Sequence, residues 1–348
     1  MSGSLSRPAG RSKWPRLTTR RFVPNEEVSR CDDGSSVETF RGYGSLPRRL
    51  RNPVVAIGNF DGVHRGHQAI FGLVREQATA QAGESVVLTF EPHPVKVLAP
   101  EMAPALITTY SRKLELIAER GIEVAVVQPF DQALAAMSAD QFIQEALVRA
   151  LGARAVVVGY NFSFGHGRAG TPEMLRAAGA ELGFAVTVVT PLSFDGLVTS
   201  STKVREFVLD GRVDAATRVL GREFELSGTI VRGAGRGRKI GVPTANLQPE
   251  GELVPRGGVY VGHVRRGGAR LPAVINVGIN PTFVDGGAQT IEAHILDFDD
   301  DLYGERLTFE FHQRLRSEQR FSGVAELVAQ IRTDIEQGRD VLRRQGEL

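Results

Sequence analysis

Val54-Val-Ala-Ile-Gly-Asn-Phe-Asp-Gly-Val-His-Arg-Gly-His-Gln-Ala69 is the stretch that decides the fold of the first half of the chain. Its first four residues are all apolar, the pattern of a buried strand. A loop with Gly58, Gly62 and Gly66 follows and carries His64 and His67, three residues apart; helix-favouring residues then run to Ala80. A strand, a glycine-rich loop and a helix in that order make a helix N-terminus available as an anion site. Glycines let a phosphate come close to the backbone, and two imidazoles can hydrogen-bond its oxygens. The spacing is neither that of the Walker A loop nor the dinucleotide G-x-G-x-x-G; it is H-x-G-H.

Outward from this stretch, residues 53–191 alternate short apolar runs with helical patterns. Residues 54–57, 85–90, 124–127, 155–158 and 185–189 are expected strands; 66–81, 111–120, 138–151 and 171–182 are expected helices. Thr171-Pro172 has the form of an N-cap residue followed by proline at the first helical position. The alternation predicts a parallel sheet with helices on both faces, and ligands in such sheets bind beyond the carboxyl ends of the strands. Three unusual segments fall at those ends: the H-x-G-H loop, Thr89-Phe-Glu-Pro-His-Pro94, and Gly159-Tyr-Asn-Phe-Ser-Phe-Gly-His-Gly167. A packed loop is the other reading of each, and the better one for 89–94 in isolation; three on one edge predict a site, with aromatics able to stack on a flat ring. Thr199-Ser-Ser-Thr-Lys-Val-Arg205 then offers hydroxyls and cations at a helix start, a further phosphate-holding pattern.

Past Leu220 the pattern changes to strands at short spacing, 224–231, 259–264, 271–277, 290–296 and 306–315, and a closing amphipathic helix over 324–344. Glycine and proline turns between them predict a small antiparallel barrel, with a boundary near 215–221. Gly233-Ala-Gly-Arg-Gly-Arg-Lys-Ile-Gly241 is a basic glycine loop that can fold over phosphates. Thr244 and Asn246, two apart in an extended segment, point the same way and offer hard oxygen donors of the kind Mg²⁺ takes. In Thr290-Ile-Glu-Ala-His-Ile-Leu296 the alternation sets Ile291, Ala293 and Ile295 against Glu292 and His294. Glu292 is either an exposed outer residue or, facing a cleft, a general base; the pattern leaves both open.

The 348 residues suffice for two cores, and 42% hydrophobic with 24% charged residues is ordinary for a globular chain. A net charge of +2 gives no argument for nucleic acid as the main partner. One cysteine, Cys31, excludes an intramolecular disulfide and a cysteine zinc site. No apolar run approaches the roughly 20 residues that span a bilayer. Residues 1–25 hold five Arg and one Lys with no Asp or Glu and lack an apolar h-region. They are expected to be a disordered tail or the product of an early start site, with an organellar transit peptide as the other reading.

H-x-G-H resembles the signature of the cytidylyltransferase-like nucleotidyltransferases. The whole chain from about Val37 resembles the bacterial bifunctional riboflavin kinase/FMN adenylyltransferase (FAD synthetase) family. Besides the segments above, G-V-Y (258–260), N-P-T-F (280–283), I-E-A-H-I-L-D-F (291–298) and D-L-Y-G (301–304) carry the likeness. Glu91, where Asp is more usual, and Asn161, where Asp or Asn occurs, are small departures. The resemblance implies an α/β chain: a Rossmann-like nucleotidyltransferase domain over 37–217, then a β-barrel riboflavin kinase domain with a C-terminal helix over 218–348, after an extension of 36 residues. It implies phosphorylation of riboflavin by ATP with Mg²⁺, then adenylylation of FMN to FAD. Glu292 would be the kinase base, Thr244 and Asn246 the metal and phosphate holders, and His64 and His67 the catalytic pair of adenylyl transfer. Gly58, Asn59, Phe60, Gly66, Asn161, Ser201, Thr202, Arg205, Gly235, Arg236, Gly237 and Lys239 would bind ATP or its phosphates. Phe90, Phe162, Phe164 and Arg316 would bind flavin. A cytoplasmic enzyme of small molecules is implied, with homo-oligomerisation left open. A relative with one live domain and a flavin-binding regulator without catalysis are the alternatives; the intact motifs count against both.

Overall fold

The computed structural model describes residues 27–30, 36–233, 235, 237, 240–279 and 289–348. Strands β1 (Glu27–Arg30) and β2 (Ser36–Arg41) form an antiparallel edge pair. Then come β3 (Val54–Ile57), α1 (Arg65–Ala80), β4 (Ser85–Glu91), α2 (Pro94–Leu98), α3 (Tyr110–Glu119) and β5 (Val124–Pro129). Next are α4 (Gln132–Ala136), α5 (Ala139–Phe142) with a π-helical continuation (Ile143–Ala150), β6 (Ala155–Gly159), α6 (Pro172–Leu182) and β7 (Ala185–Val189). A two-stranded hairpin, β8 (Ser193–Phe194) and β9 (Leu197–Val198), leads into α7 (Ser201–Leu209) and α8 (Val213–Leu220).

The sheet order is β1-β2-β5-β4-β3-β6-β7, with β2 through β7 parallel. Both faces of β3 are buried, which explains its unbroken apolar run. Val54 and Ala56 pack with Phe71, Val74 and Leu114 on one side; Val55 and Ile57 pack with Phe142, Leu147 and Leu175 on the other. The expected cap forms at Thr171, whose hydroxyl accepts from Met174 N–H at 3.3 Å, and Ser138 and Gln141 add a reciprocal capping box. From β3 the chain moves one way to β4 and β5 and the other way to β6 and β7. The reversal leaves a crevice between the carboxyl ends of β3 and β6, where the glycine–histidine loop and the 159–167 segment emerge.

The second half is a closed barrel, β10-β11-β14-β13-β12-β15, comprising β10 (Phe224–Val231), β11 (Ala245–Pro249), β12 (Gly258–Arg266), β13 (Ala269–Ile279), β14 (Gln289–Ile295) and β15 (Arg306–Arg316). Tyr260, Ile275, Phe309 and Phe311 fill it, and residues of α7 and α8, among them Phe207, Val208 and Val219, join the same core. The last helix, α9 (Val324–Arg344), lays Val341 and Leu342 on Val261 of the outer face. Sequence pattern misses β1, β2, β8, β9 and β11. All are short, and β11 carries Asn, Gln and Pro, residues depleted from strands; barrel closure overrides that preference.

Candidate active sites at the sheet edge and on the barrel

The glycine–histidine loop is wound tightly. Phe60, Gly62 and Val63 all have positive φ (49°, 81° and 40°), a costly state for a bulky and a β-branched residue. What holds it is Asp61, 5% exposed. Its carboxylate accepts from the Ile107 and Thr108 N–H groups at 3.0 and 3.2 Å and pairs with Arg205 Nη2 at 2.5 Å. Ser201 donates its hydroxyl proton to Asp61 O at 2.9 Å. The start of α7 is thereby fastened beside the start of α1, so two helix N-termini flank the histidines. Arg205 also donates to Ala105 O at 2.7 Å, so its guanidinium serves the loop's own structure. Thr202 is exposed on the first turn of α7.

His64 caps α1 with its backbone and is 6% exposed. His67 stacks on it, ring centroids 3.6 Å apart and planes 22° off parallel, and the edge of Phe60 closes the other side at 5.2 Å. Burial lowers the His64 pKa to about 4, with Arg222 and then Arg205 adding repulsion. Burial, His64 and Lys113 hold His67 well below its ordinary value. Both rings are therefore neutral at pH 7, and the buried Nδ1 of each has no hydrogen-bond partner among the described residues. Gly66 has no room for a side chain: a Cβ there would stand 2.8 Å from Thr199 Oγ1 and 3.0 Å from the His64 ring. Gly58 is similarly filled by the Phe60 ring at 3.0 Å.

The neighbouring strand ends join the loop. Thr89 donates to Asn59 O at 3.2 Å, and Asn59 Nδ2 lies 3.3 Å from His93 Nε2 while His93 Nδ1 caps α2. Phe90 meets Phe130 edge-on at 6.0 Å and is half-buried. Beyond β6, Asn161 is exposed, Phe162 is half-buried and stacks on Phe164 at 5.3 Å, and Phe164 belongs to the core against Phe142.

On the barrel, Ile291, Ala293 and Ile295 do face the interior. Glu292 is on the outer face yet half-buried, and Thr244 donates to its Oε2 at 3.1 Å. Strand register sets Asn246 of β11 and Asn276 of β13 on either side of Glu292. Thr244 and Asn246 therefore share one side, as their spacing predicts. Asn276 was not singled out by sequence; a polar residue within the apolar run 273–279 was its available signal. Gly233 packs against Asn246, since a Cβ there would lie 2.5 Å from the carboxamide, and a Cβ on Gly237 would lie 2.3 Å from Val242 O. Gly235 is at φ 66°. Arg236, Arg238 and Lys239 lie outside the described residues, as does N-P-T-F (280–283). Arg316 is held elsewhere: Nε and Nη2 form a two-point pair with the buried Asp334 of α9 at 2.8 and 2.7 Å, and Nη1 donates to Ser317 O. Among the described residues no helix is long and apolar enough to cross a membrane.

Two family models match the chain in succession, FAD synthetase over residues 46–203 and riboflavin kinase over 220–342. A curated bifunctional riboflavin kinase/FMN adenylyltransferase of Pseudomonas fluorescens is 40% identical over 86% of this chain and 96% of its own length. Its namesake from Escherichia coli K12 is 40% identical over 81% and 90%. A crystal structure of a Streptococcus pneumoniae protein named for macrolide efflux superposes with a TM-score of 0.78 at 30% identity, over 86% of this chain and 98% of that one. The chain belongs to the bifunctional riboflavin kinase/FMN adenylyltransferase family.

Proposed function

We propose that the chain carries both reactions of its family at the two sites described: riboflavin to FMN on the barrel, then FMN to FAD at the sheet edge. The observation that carries this division is that each family match encloses its own polar site. His64 and His67 lie within 46–203; Thr244, Asn246 and Glu292 lie within 220–342.

On the barrel, Glu292 would take the proton from the ribityl 5′-hydroxyl as that oxygen attacks the γ-phosphate of ATP. Thr244 occupies Oε2 and orients the carboxylate, leaving Oε1 for the substrate. Such a base contributes roughly 10²- to 10⁴-fold, because an alcohol is a poor nucleophile. The hydroxyl of Thr244 and the carboxamide of Asn246 are the hard donors Mg²⁺ accepts, so they fit the ion and would hold it with the nucleotide phosphates. The ion would supply neutralisation of phosphate charge. Gly233 packs on Asn246, and Gly235, Arg236, Gly237 and Lys239, which follow it in the chain, would serve those phosphates.

At the sheet edge the nucleophile is the FMN phosphate, already anionic, so no general base is needed. Positioning and charge stabilisation must do the work. His64 and His67, kept neutral by burial, would hydrogen-bond the phosphoryl oxygens, with the N-termini of α1 and α7 behind them. Gly58, Asn59, Phe60 and Gly66 would shape the phosphate path, and Ser201 and Thr202 would reach it from α7. Arg205 would act through Asp61. Asn161 would bind adenine or ribose, and Phe90 and Phe162, backed by Phe164, would take the isoalloxazine ring. Arg316 would reach flavin only by giving up Asp334. The same reading makes the protein cytoplasmic, acting on small molecules and not on nucleic acid or membrane.

The test is to incubate the purified chain with riboflavin, ATP and Mg²⁺ and separate the flavins by chromatography. FMN appearing first and FAD after it is the expected result; FMN alone, FAD from added FMN alone, or binding without turnover would each sink it.

A further inference from the structure

Three hydrogen bonds run between residues 218–222 and the glycine–histidine loop with the helix it opens. Arg65 Nε donates to Arg218 O at 2.9 Å, Gln68 Nε2 donates to Leu220 O at 2.7 Å, and Arg222 Nη1 donates to Gly62 O at 2.9 Å. The first two end on backbone carbonyls, which any residue supplies. The third depends on one side chain. Arg222 stands between α8 and β10, inside the segment matched by the riboflavin kinase model and outside the one matched by the FAD synthetase model.

The carbonyl it holds lies between Gly62 and Val63, both in the left-handed region, two residues before His64. Such a backbone persists only where its surroundings over-determine it. Asp61, with Ile107, Thr108 and Arg205, fastens one point of the loop, and Arg222 fastens the next. A hydrogen bond from a charged donor is comparable in strength to the cost of one strained residue.

We propose that Arg222 is a positioning residue for adenylyl transfer, a guanidinium from the barrel-matched segment that holds the Gly62 carbonyl and, through it, the His64–His67 pair. The inference rests on the assignment of that pair to adenylyl transfer.

Charge points the same way. Arg222 is the largest cationic influence on His64, ahead of Arg205; His67 lies face to face with His64, and Lys113 bears on His67. Arg222 is itself lowered to about 10 by burial, opposed by Glu225, with Arg112, Glu119 and Arg120 also facing it. It stays charged at neutral pH and disfavours a proton on His64. Glu225, 3.7 Å from Arg222 Nε, is tied to Arg112 of α3 at 2.6 Å and to Arg265 at 3.0 Å, so its charge stays paired when Arg222 is replaced.

The test compares full-length wild type, Arg222→Met, Arg222→Lys and a His64→Ala/His67→Ala control. Phosphorylation of riboflavin and adenylylation of added FMN are assayed separately, and His64 is titrated by NMR on histidine-labelled protein. Arg222→Met should lower kcat for adenylylation at least about tenfold, roughly 1.4 kcal/mol, with phosphorylation unchanged and the His64 pKa moved up from about 4. Arg222→Lys, which keeps the charge and one donor, should fall between, with His64 still low. Wild-type adenylylation by Arg222→Met beside an inactive histidine control overturns this inference alone. Full adenylylation by the histidine control overturns the assignment beneath it. If Arg222→Met loses both activities, Arg222→Lys decides: reduced adenylylation beside full phosphorylation supports positioning, and loss of both or of neither overturns it.

Discussion

At the sheet edge two neutral histidines are enclosed by a loop whose backbone is strained, and residues 105–108, 199–205 and 222 converge to hold it. On the barrel, Glu292, Asn246 and Asn276 stand half-buried on adjacent strands, and ladder pairing alone brings them together. The difference lies in what maintains each site. The first needs many tertiary contacts to keep a costly conformation. The second inherits its geometry from alternation along β11, β13 and β14, which persists as long as the barrel is closed. The first is accordingly sensitive to distant residues and to pH, and the second mainly to the groups that touch substrate.

The sharpest way to break that contrast is a double dissociation. Glu292→Gln should lower riboflavin phosphorylation by about 10²- to 10⁴-fold, the range of a lost general base, with FMN adenylylation retained. His64→Ala with His67→Ala should do the reverse, by about 10²- to 10³-fold for lost phosphate donors. Steady-state rates with riboflavin and with FMN as separate starting substrates read both. Either folded variant losing both activities would mean that the sites are not separable.

The two sites were unequally legible in the amino-acid order. The glycine–histidine loop is contiguous with its flanking elements, so strand, loop and helix could be read from sixteen residues. Thr244 with Asn246, and the Ile291/Glu292 alternation, followed from the two-residue period of strands. What escaped were partners brought together by folding. Asp61 and Arg205 are 144 positions apart, and Arg222 and Gly62 are 160 apart. No local pattern distinguishes Arg222 from a solvated arginine at a helix end. Arg316 shows the converse: the family resemblance implies a flavin contact there, while its guanidinium is engaged by Asp334, 18 residues on.

That pair yields a second measurement. Arg316→Ala strands a carboxylate that is 2% exposed and that keeps, among the described residues, Gln330 as its side-chain donor. Removing one partner of a buried pair costs about 3–5 kcal/mol. Urea denaturation should show that loss, with α9 released from the barrel. Riboflavin affinity, measured by fluorescence quenching at a temperature where the variant is folded, should be unchanged. A tenfold weaker affinity with little loss of stability would instead assign Arg316 to the flavin.

The smallest expected effect separates the sites by pH. The folded pKa of His64 is about 4 against an ordinary 6.5. Above pH 6.5 the ring is neutral in both folded and unfolded chains, and its contribution is fully present. Between 6.5 and about 4 the unfolded chain takes up the proton and the folded one does not, so stability is lost as pH falls. The loss is about 1.4 kcal/mol per pH unit, roughly 3 kcal/mol across the window, and His67 shifts in the same direction. The barrel offers an opposite case in His312, whose pKa is raised by its 2.6 Å bond to Glu223. Its contribution is present below the ordinary histidine value and is lost as pH rises through the raised one. Urea unfolding at pH 7.5, 6.0 and 5.0 should therefore show falling stability in wild type and a flatter profile in His64→Gln/His67→Gln. Parallel profiles would mean that the histidine pair is not held neutral, and the contrast between an enclosed site and a register-built one would lose its electrostatic half.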